Sequence, residues 1–264
     1  MIDLHAHILY GIDDGARHGE MTLDMLRQAE EDGIGTMVAT PHYVVGANLY
    51  SPKGLAARFD DVARLIDKEG IKINLLLGNE LFLDEYIFEA VESKKCHTLA
   101  GTRYVLLELP MAGIPLYTEK VLYQFLANGY RPILAHPERN AEVLDDPAVL
   151  IPFLEMGCIT QVNSTSMTGI GGRRVQEVSR LLLMSGMGHL VASDCHSDKR
   201  RSPRLSAAYK LASEWLGRQK ADRLFHNNPE TVLRGGAIKV DSPKLIHRER
   251  GLTSRIKSCF TAAK

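Results

Sequence analysis

Met1-Ile2-Asp3-Leu4-His5-Ala6-His7 opens the chain, and Gly11-Ile12-Asp13-Asp14-Gly15 follows it. Ile2–Ala6 reads as a short strand. His5 and His7 close it two residues apart, and on an ideal strand that spacing places both side chains on one face. The same order recurs downstream: a brief apolar run, a His, Asp or Glu at its C-terminal end, then an amphipathic stretch. Further candidate strands are 36–40, 72–78, 104–109, 131–135, 159–162 and 190–193. The stretches between them carry helical spacing. Phe59, Val62, Ala63 and Ile66 form one apolar stripe, Val121, Leu122, Phe125 and Leu126 a second, and Leu205, Ala208, Leu211, Ala212 and Trp215 a third. Seven strands alternating with helices predict an α/β fold, either a barrel or an open doubly wound sheet.

Composition narrows the class. The 264 residues are 45% hydrophobic and 24% charged, ordinary for a globular chain, and one domain of this length suits an α/β barrel. Thirty-two basic residues balance 32 acidic ones, so no global charge draws the chain to nucleic acid or an anionic membrane. Cys96, Cys158, Cys195 and Cys259 lie far apart, which predicts a reducing compartment rather than a disulfide scaffold or thiolate zinc site. No run approaches the ~18 apolar residues of a membrane span, and Met1 leads straight into the first strand. A cytoplasmic location is expected. After Val240 the composition turns basic, so the domain is expected over 1–240 with a solvated tail over 241–264.

The strand ends carry the chemistry. Thr40-Pro41-His42, Gly78-Asn79-Glu80, Glu108, His136-Pro137-Glu138-Arg139 and Ser193-Asp194-Cys195-His196 stand at the same end as His5 and His7. In α/β architectures the loops leaving that end converge on one crevice. His5, His7, Asp14, His42, Glu80, Glu108, His136, Asp194 and His196 would then meet. Glu80 alone would read as a surface or capping carboxylate, but Glu108 sits inside an apolar run, where an unpaired charge is costly. Clustered carboxylates take up protons unless cations compensate them. Imidazole and carboxylate donors suit manganese, iron or zinc, and three or four ligands per ion give two or three ions.

These motifs together resemble the polymerase and histidinol phosphatase (PHP) superfamily, and within it the CpsB/CapC-type tyrosine-protein phosphatases of bacterial capsule and exopolysaccharide production. The resemblance runs from Met1 to about Gly236 and includes the Gly169–Arg174 loop and Asn228-Pro229. Tyr10 departs from it, standing where the family often has proline, and the basic tail is longer than the family pattern. It implies a distorted seven-stranded (β/α) barrel with three metal ions, commonly manganese. By resemblance, His5, His7, Glu80 and Asp194 would hold one ion, Glu80, Glu108 and His136 a second, and Asp14, His42 and His196 the third. The implied substrate is a phosphotyrosine protein, a bacterial tyrosine kinase.

Metal-bound water acidified toward pKa ~7 would supply the nucleophile. A phenolate leaving group, with a conjugate acid of pKa ~10, lessens the need for a general acid. Arg139 follows His136 by three residues. Arg201 falls on the family's Asp-x-His-x-x-x-x-Arg pattern, and both are expected to clamp phosphate. Cys195 and Arg201 also match C-x5-R, the spacing of cysteine-dependent phosphatases. The intervening residues hold no glycine, and two aspartates would raise the thiol pKa. Rival readings are a small-molecule phosphatase acting on a monoester such as histidinol phosphate, and a non-catalytic phosphotyrosine-binding adaptor. A nuclease is disfavoured because the barrel portion carries no basic stripe.

Overall fold

The computed structural model describes residues 1–48 and 50–240. The expected basic tail, 241–264, lies outside the described residues. Among those described, nine strands form two parallel sheets: β1 (Ile2–Ala6), β2 (Thr36–Ala39), β3 (His42–Tyr43), β4 (Asn74–Leu77), β5 (Glu80–Phe82), β6 (Tyr104–Glu108), β7 (Arg131–Ala135), β8 (Ile159–Asn163) and β9 (Leu190–Ala192). One sheet has the order β1-β2-β4, the other β3-β5-β6-β7-β8-β9.

Seven strand segments were expected and nine are found, because two are broken. β2 stops at Ala39 and resumes as β3 after Thr40-Pro41, where proline offers no N–H to a ladder. β4 stops at Leu77 and resumes as β5 after Gly78-Asn79. Asn79 holds that break open: its Nδ2 donates to Pro41 O and to Tyr50 Oη, and its Oδ1 accepts from His97 N, each at 2.8 Å. His42 and Glu80 therefore begin short continuing strands instead of sitting in departing loops. At the other margin the bridge Ala6–Cys195, with Asp194 N→His5 O and His7 N→Cys195 O both at 2.9 Å, ties β1 to the segment after β9.

Helices fill the crossovers, as parallel strands require. The helix Pro52–Glu69 shows why its ends fall where they do. Ser51 Oγ accepts from Gly54 N, Pro52 occupies the first turn, and Gly70 closes the helix at φ 65°. Of the expected stripe, Val62 and Ile66 are buried while Phe59 and Ala63 are half-buried. The larger core cluster packs strand residues such as Val105, Leu107, Leu134 and Val191 against helix residues including Met25, Val62, Phe125 and Leu182. A smaller cluster takes Leu4, Val38, Leu106, Ile133, Ile159 and Leu190 from six different strands. Leu106 lies two residues before Glu108 and Ile159 two before Gln161, so on β6 and β8 this apolar layer shares a sheet face with the polar groups described next.

Candidate metal centre

His5 and His7 leave β1 side by side, with their Nε2 atoms 3.1 Å apart. Both residues are fully buried. Glu80 Oε2 lies 3.2 Å from each of these nitrogens, and Asp194 Oδ1 lies 3.4 and 3.5 Å from them. His136 Nε2 approaches Glu80 Oε1 at 2.8 Å and Glu108 Oε1 at 3.8 Å. His42 Nδ1 sits 3.0 Å from Glu80 Oε2 and 3.7 Å from Glu108 Oε2. Asp14 Oδ1 lies between His42 Nε2 at 3.4 Å and His196 Nε2 at 3.2 Å. All nine expected donors meet.

Their donor atoms form three overlapping groups, each within 4.8 Å: His5, Glu80, His136 and Asp194; His42, Glu80 and Glu108; His7, Asp14, His42 and His196. This division differs from the one the resemblance implies. His136 falls with His5, and His7 falls with the Asp14 group. Glu80 and His42 are each shared by two groups.

The surrounding polar residues decide what the central nitrogens can do. Asp194, ionised, only accepts, so Asn163 must turn its amide nitrogen to Oδ2, at 2.6 Å. Asn163 Oδ1 then accepts from Gln161 Nε2 at 2.8 Å, which leaves Gln161 Oε1 facing His5 Nδ1 at 2.9 Å. The His5 proton is thereby placed on Nδ1, and its Nε2 lone pair points inward. Asp13 Oδ2 does the same for His7 Nδ1 at 2.7 Å, and the Asp194 carbonyl for His196 Nδ1 at 3.0 Å. Asp13 also accepts from Gly15 N and His42 N, both at 3.0 Å. Gly15 is required there, because a Cβ at that position would lie 2.1 Å from His7 O.

The buried carboxylates draw positive charge onto the imidazoles that face them. Burial pulls the His7 imidazole down, but Asp13 and Glu80 outweigh it and raise its pKa to about 10. Burial likewise opposes His42, which Asp14 and Glu80 raise to about 11. Glu80 and Asp194 stay ionised despite burial because imidazoles surround them. Glu108 is pushed up by burial and by the Glu80 charge. Two buried oxygens, Glu80 Oε2 and Asp194 Oδ1, have no hydrogen-bond donor. Buried acceptors of this kind are costly unless a cation completes them. The Nε2 atoms of His5 and His7, turned toward two orphaned carboxylate oxygens, fit divalent ions, which would replace the proton that His7 otherwise keeps.

His136 (φ 30°) and Asp194 (φ 51°) both adopt left-handed backbone that non-glycine residues seldom occupy. Such strain, about 1–3 kcal/mol each, persists where surroundings impose it and clusters at functional sites. Asp3 supplies part of that constraint: its carboxylate accepts from Ser193 N at 2.9 Å and Ser193 Oγ at 2.5 Å, fixing the residue before Asp194.

Arg139 and Arg201 converge on one atom. Arg139 Nη1 and Arg201 Nη2 donate to Asp194 Oδ2 at 2.9 and 2.7 Å, and each side chain is about one-third exposed. Arg139 pairs with neither Glu138 nor Glu142. Cys195 is fully buried, and burial followed by the Asp3 charge pushes its thiol up. A thiolate nucleophile would need the opposite environment. Reading strand ends missed Asp3, Asp13 as a His7 partner, Gln161, Asn163 and Ser193. The alternation Gln161-x-Asn163 on β8, the same spacing as His5-x-His7, was the available signal.

Comparison with known proteins assigns the family. The profile of the capsular polysaccharide synthesis family CpsB/CapC matches residues 1–234. Tyrosine-protein phosphatase YwqE of Bacillus subtilis is 32% identical over 250 residues, 95% of this chain and 98% of its own. Tyrosine-protein phosphatase CpsB of Streptococcus agalactiae serotype III is 28% identical over 243 residues, 90% and 100% of the two chains. Among solved structures, a chain from the crystal structures of YwqE from B. subtilis and CpsB from Streptococcus pneumoniae, metal-dependent tyrosine phosphatases, superposes with a TM-score of 0.89 at 32% identity, covering 94% of this chain and all of that one. The histidinol phosphate phosphatase of Lactococcus lactis shares the fold more distantly, at TM-score 0.52 and 12% identity over 85% and 94%. With the match running from Met1 through the last described helix, this chain belongs to the CpsB/CapC family of capsular polysaccharide synthesis proteins.

Proposed function

We propose that this protein is a metal-dependent protein-tyrosine phosphatase, acting in the cytoplasm on a bacterial tyrosine kinase that controls capsule or exopolysaccharide production. The observation that carries the reading is the pair of donor-less buried oxygens, Glu80 Oε2 and Asp194 Oδ1, facing the Nε2 atoms of His5 and His7. In this reading the two sheets, tied through Ala6 and Cys195, act as one distorted seven-stranded barrel spanning residues 1–240. Its strand ends hold two to three divalent ions, manganese first among them.

His5, His7, Asp14, His42, Glu80, Glu108, His136, Asp194 and His196 would be the ligands. Bound there, such ions would supply Lewis acidity to phosphoryl oxygens and acidify water. The remaining work falls to the chain. Arg139 and Arg201 flank the donor cluster at Asp194 with planar donor forks that match phosphate oxygens. Their present partner, Asp194 Oδ2, marks where an anionic oxygen is held. Gln161, Asp13 and the Asp194 carbonyl hold imidazole protons on Nδ1 and so keep Nε2 inward.

Among the described residues no helix is long and apolar enough to cross a membrane. The test is elemental analysis of purified protein, joined to chelation and readdition of manganese, assayed on a phosphotyrosine peptide. Turnover should vanish on chelation and return with the metal. Turnover that survives exhaustive chelation would overturn the proposal.

A further inference from the structure

The arginine pair forms only one end of a larger cavity. About 510 Å³ opens beside Asp194, Arg139, Arg201 and Asn163, and its outer walls include Met111, Ile170 and Val175. That volume lies in the range of small-molecule sites. Its two ends differ sharply in chemistry. At the base, two guanidinium groups and the Asn163 amide share a single carboxylate oxygen. At the mouth, Met111 and Ile170 remain 37% and 45% exposed, two of only six large hydrophobic residues so exposed among those described.

Both lips are held in place by backbone bonds. Met111 O accepts from Ala141 N at 2.9 Å, anchoring the loop that follows Glu108. Ile170 N donates to Thr165 O at 3.0 Å, and Gln176 Nε2 donates to Met167 O at 2.9 Å, anchoring the loop that follows β8. The loop backbones that carry the apolar walls are therefore preformed, which lowers the entropic cost of binding.

We infer that Met111 and Ile170, backed by Val175, form an aryl subsite that holds the phenyl ring of the substrate while Arg139 and Arg201 hold its phosphate. The inference rests on the phosphatase reading and adds the residues that favour an aromatic monoester over an aliphatic one. A flat ring between a thioether and a branched aliphatic side chain buries apolar surface on both faces, and sulfur contacts ring edges favourably. A short alkyl phosphate would fill the base and leave the walls in water.

Competitive inhibition by two non-hydrolysable anions separates base from walls: phenylphosphonate and methylphosphonate, measured against a phosphotyrosine peptide with the manganese-loaded full chain. In the Met111→Ser/Ile170→Ser double variant, the inhibition constant for phenylphosphonate should rise about tenfold, the scale of lost apolar pocket contacts. That for methylphosphonate should hold. Met111→Leu/Ile170→Leu should restore the phenyl preference. Equal inhibition constants of both anions on the parent chain, or a phenyl preference unchanged by the serine pair, would overturn the subsite and leave the phosphatase reading standing. A parent chain that never hydrolyses the peptide would instead break the reading beneath it.

Discussion

One face of β6 and β8 carries two layers of opposite character. The lower layer, Leu4, Val38, Leu106, Ile133, Ile159 and Leu190, is apolar, and each residue is at most 4% exposed. Further along the same face, Glu108, Gln161 and Asn163 begin the upper layer, also buried but built of ionisable and amide groups. The lower layer is complete in itself, because apolar side chains need only neighbours. The upper layer is not, since Glu80 Oε2 and Asp194 Oδ1 lack donors while the Nε2 atoms of His5 and His7 crowd together beside them. The lower layer supplies rigidity. The upper layer spends stability to hold a field of negative charge ready for cations.

That contrast breaks first at Glu80, which belongs to two donor groups. Glu80→Gln should abolish phosphotyrosine-peptide turnover and lower bound manganese by elemental analysis, while the chelated protein unfolds in urea no earlier than its parent. A variant that keeps both metal and turnover would show that the upper layer is not a cation cage.

Leu106→Ala tests the opposite layer. It should cost about 2–5 kcal/mol in urea denaturation through lost burial and a residual cavity, yet metal content per folded molecule should remain. Loss of metal without loss of stability would reverse the assignment of the two layers.

Asp13→Asn sharpens the boundary between ligands and their supports. The His7 imidazole loses an ionised acceptor, so manganese affinity should fall about 10–100-fold, the usual range for such partners. Titration of the chelated protein with manganese reads this directly.

Cys195→Ser should do least. The thiol is fully buried and pushed away from thiolate by its surroundings, so turnover should stay near that of the parent. Loss of most turnover with metal content intact would restore cysteine chemistry as a rival.

The nine clustered donors were legible because ionisable side chains at strand ends are conspicuous against apolar runs, and parallel α/β order collects those ends. Glu108 illustrates this: a carboxylate closing Tyr104–Leu107 has few structural excuses. Their supports were not legible. Gln161 reaches His5 across 156 positions of chain, and Asn163 reaches Asp194 across 31. The Gln161-x-Asn163 alternation marks one shared face, but neutral amides carry no charge to separate a tautomer-setting partner from an ordinary polar residue. The breaks before His42 and Glu80 escaped for a similar reason, since Asn79 creates one through contacts with Pro41, Tyr50 and His97.

Sequence alone determined the alternating strands and helices and which nine side chains would gather, because periodicity and residue chemistry are local properties. Tertiary structure decided which donors share a carboxylate, that Arg139 and Arg201 meet on one oxygen of Asp194, and which nitrogen of each histidine faces inward. Those outcomes depend on ångström-scale distances between segments far apart in the chain, and packing sets such distances only once the whole fold has closed around them.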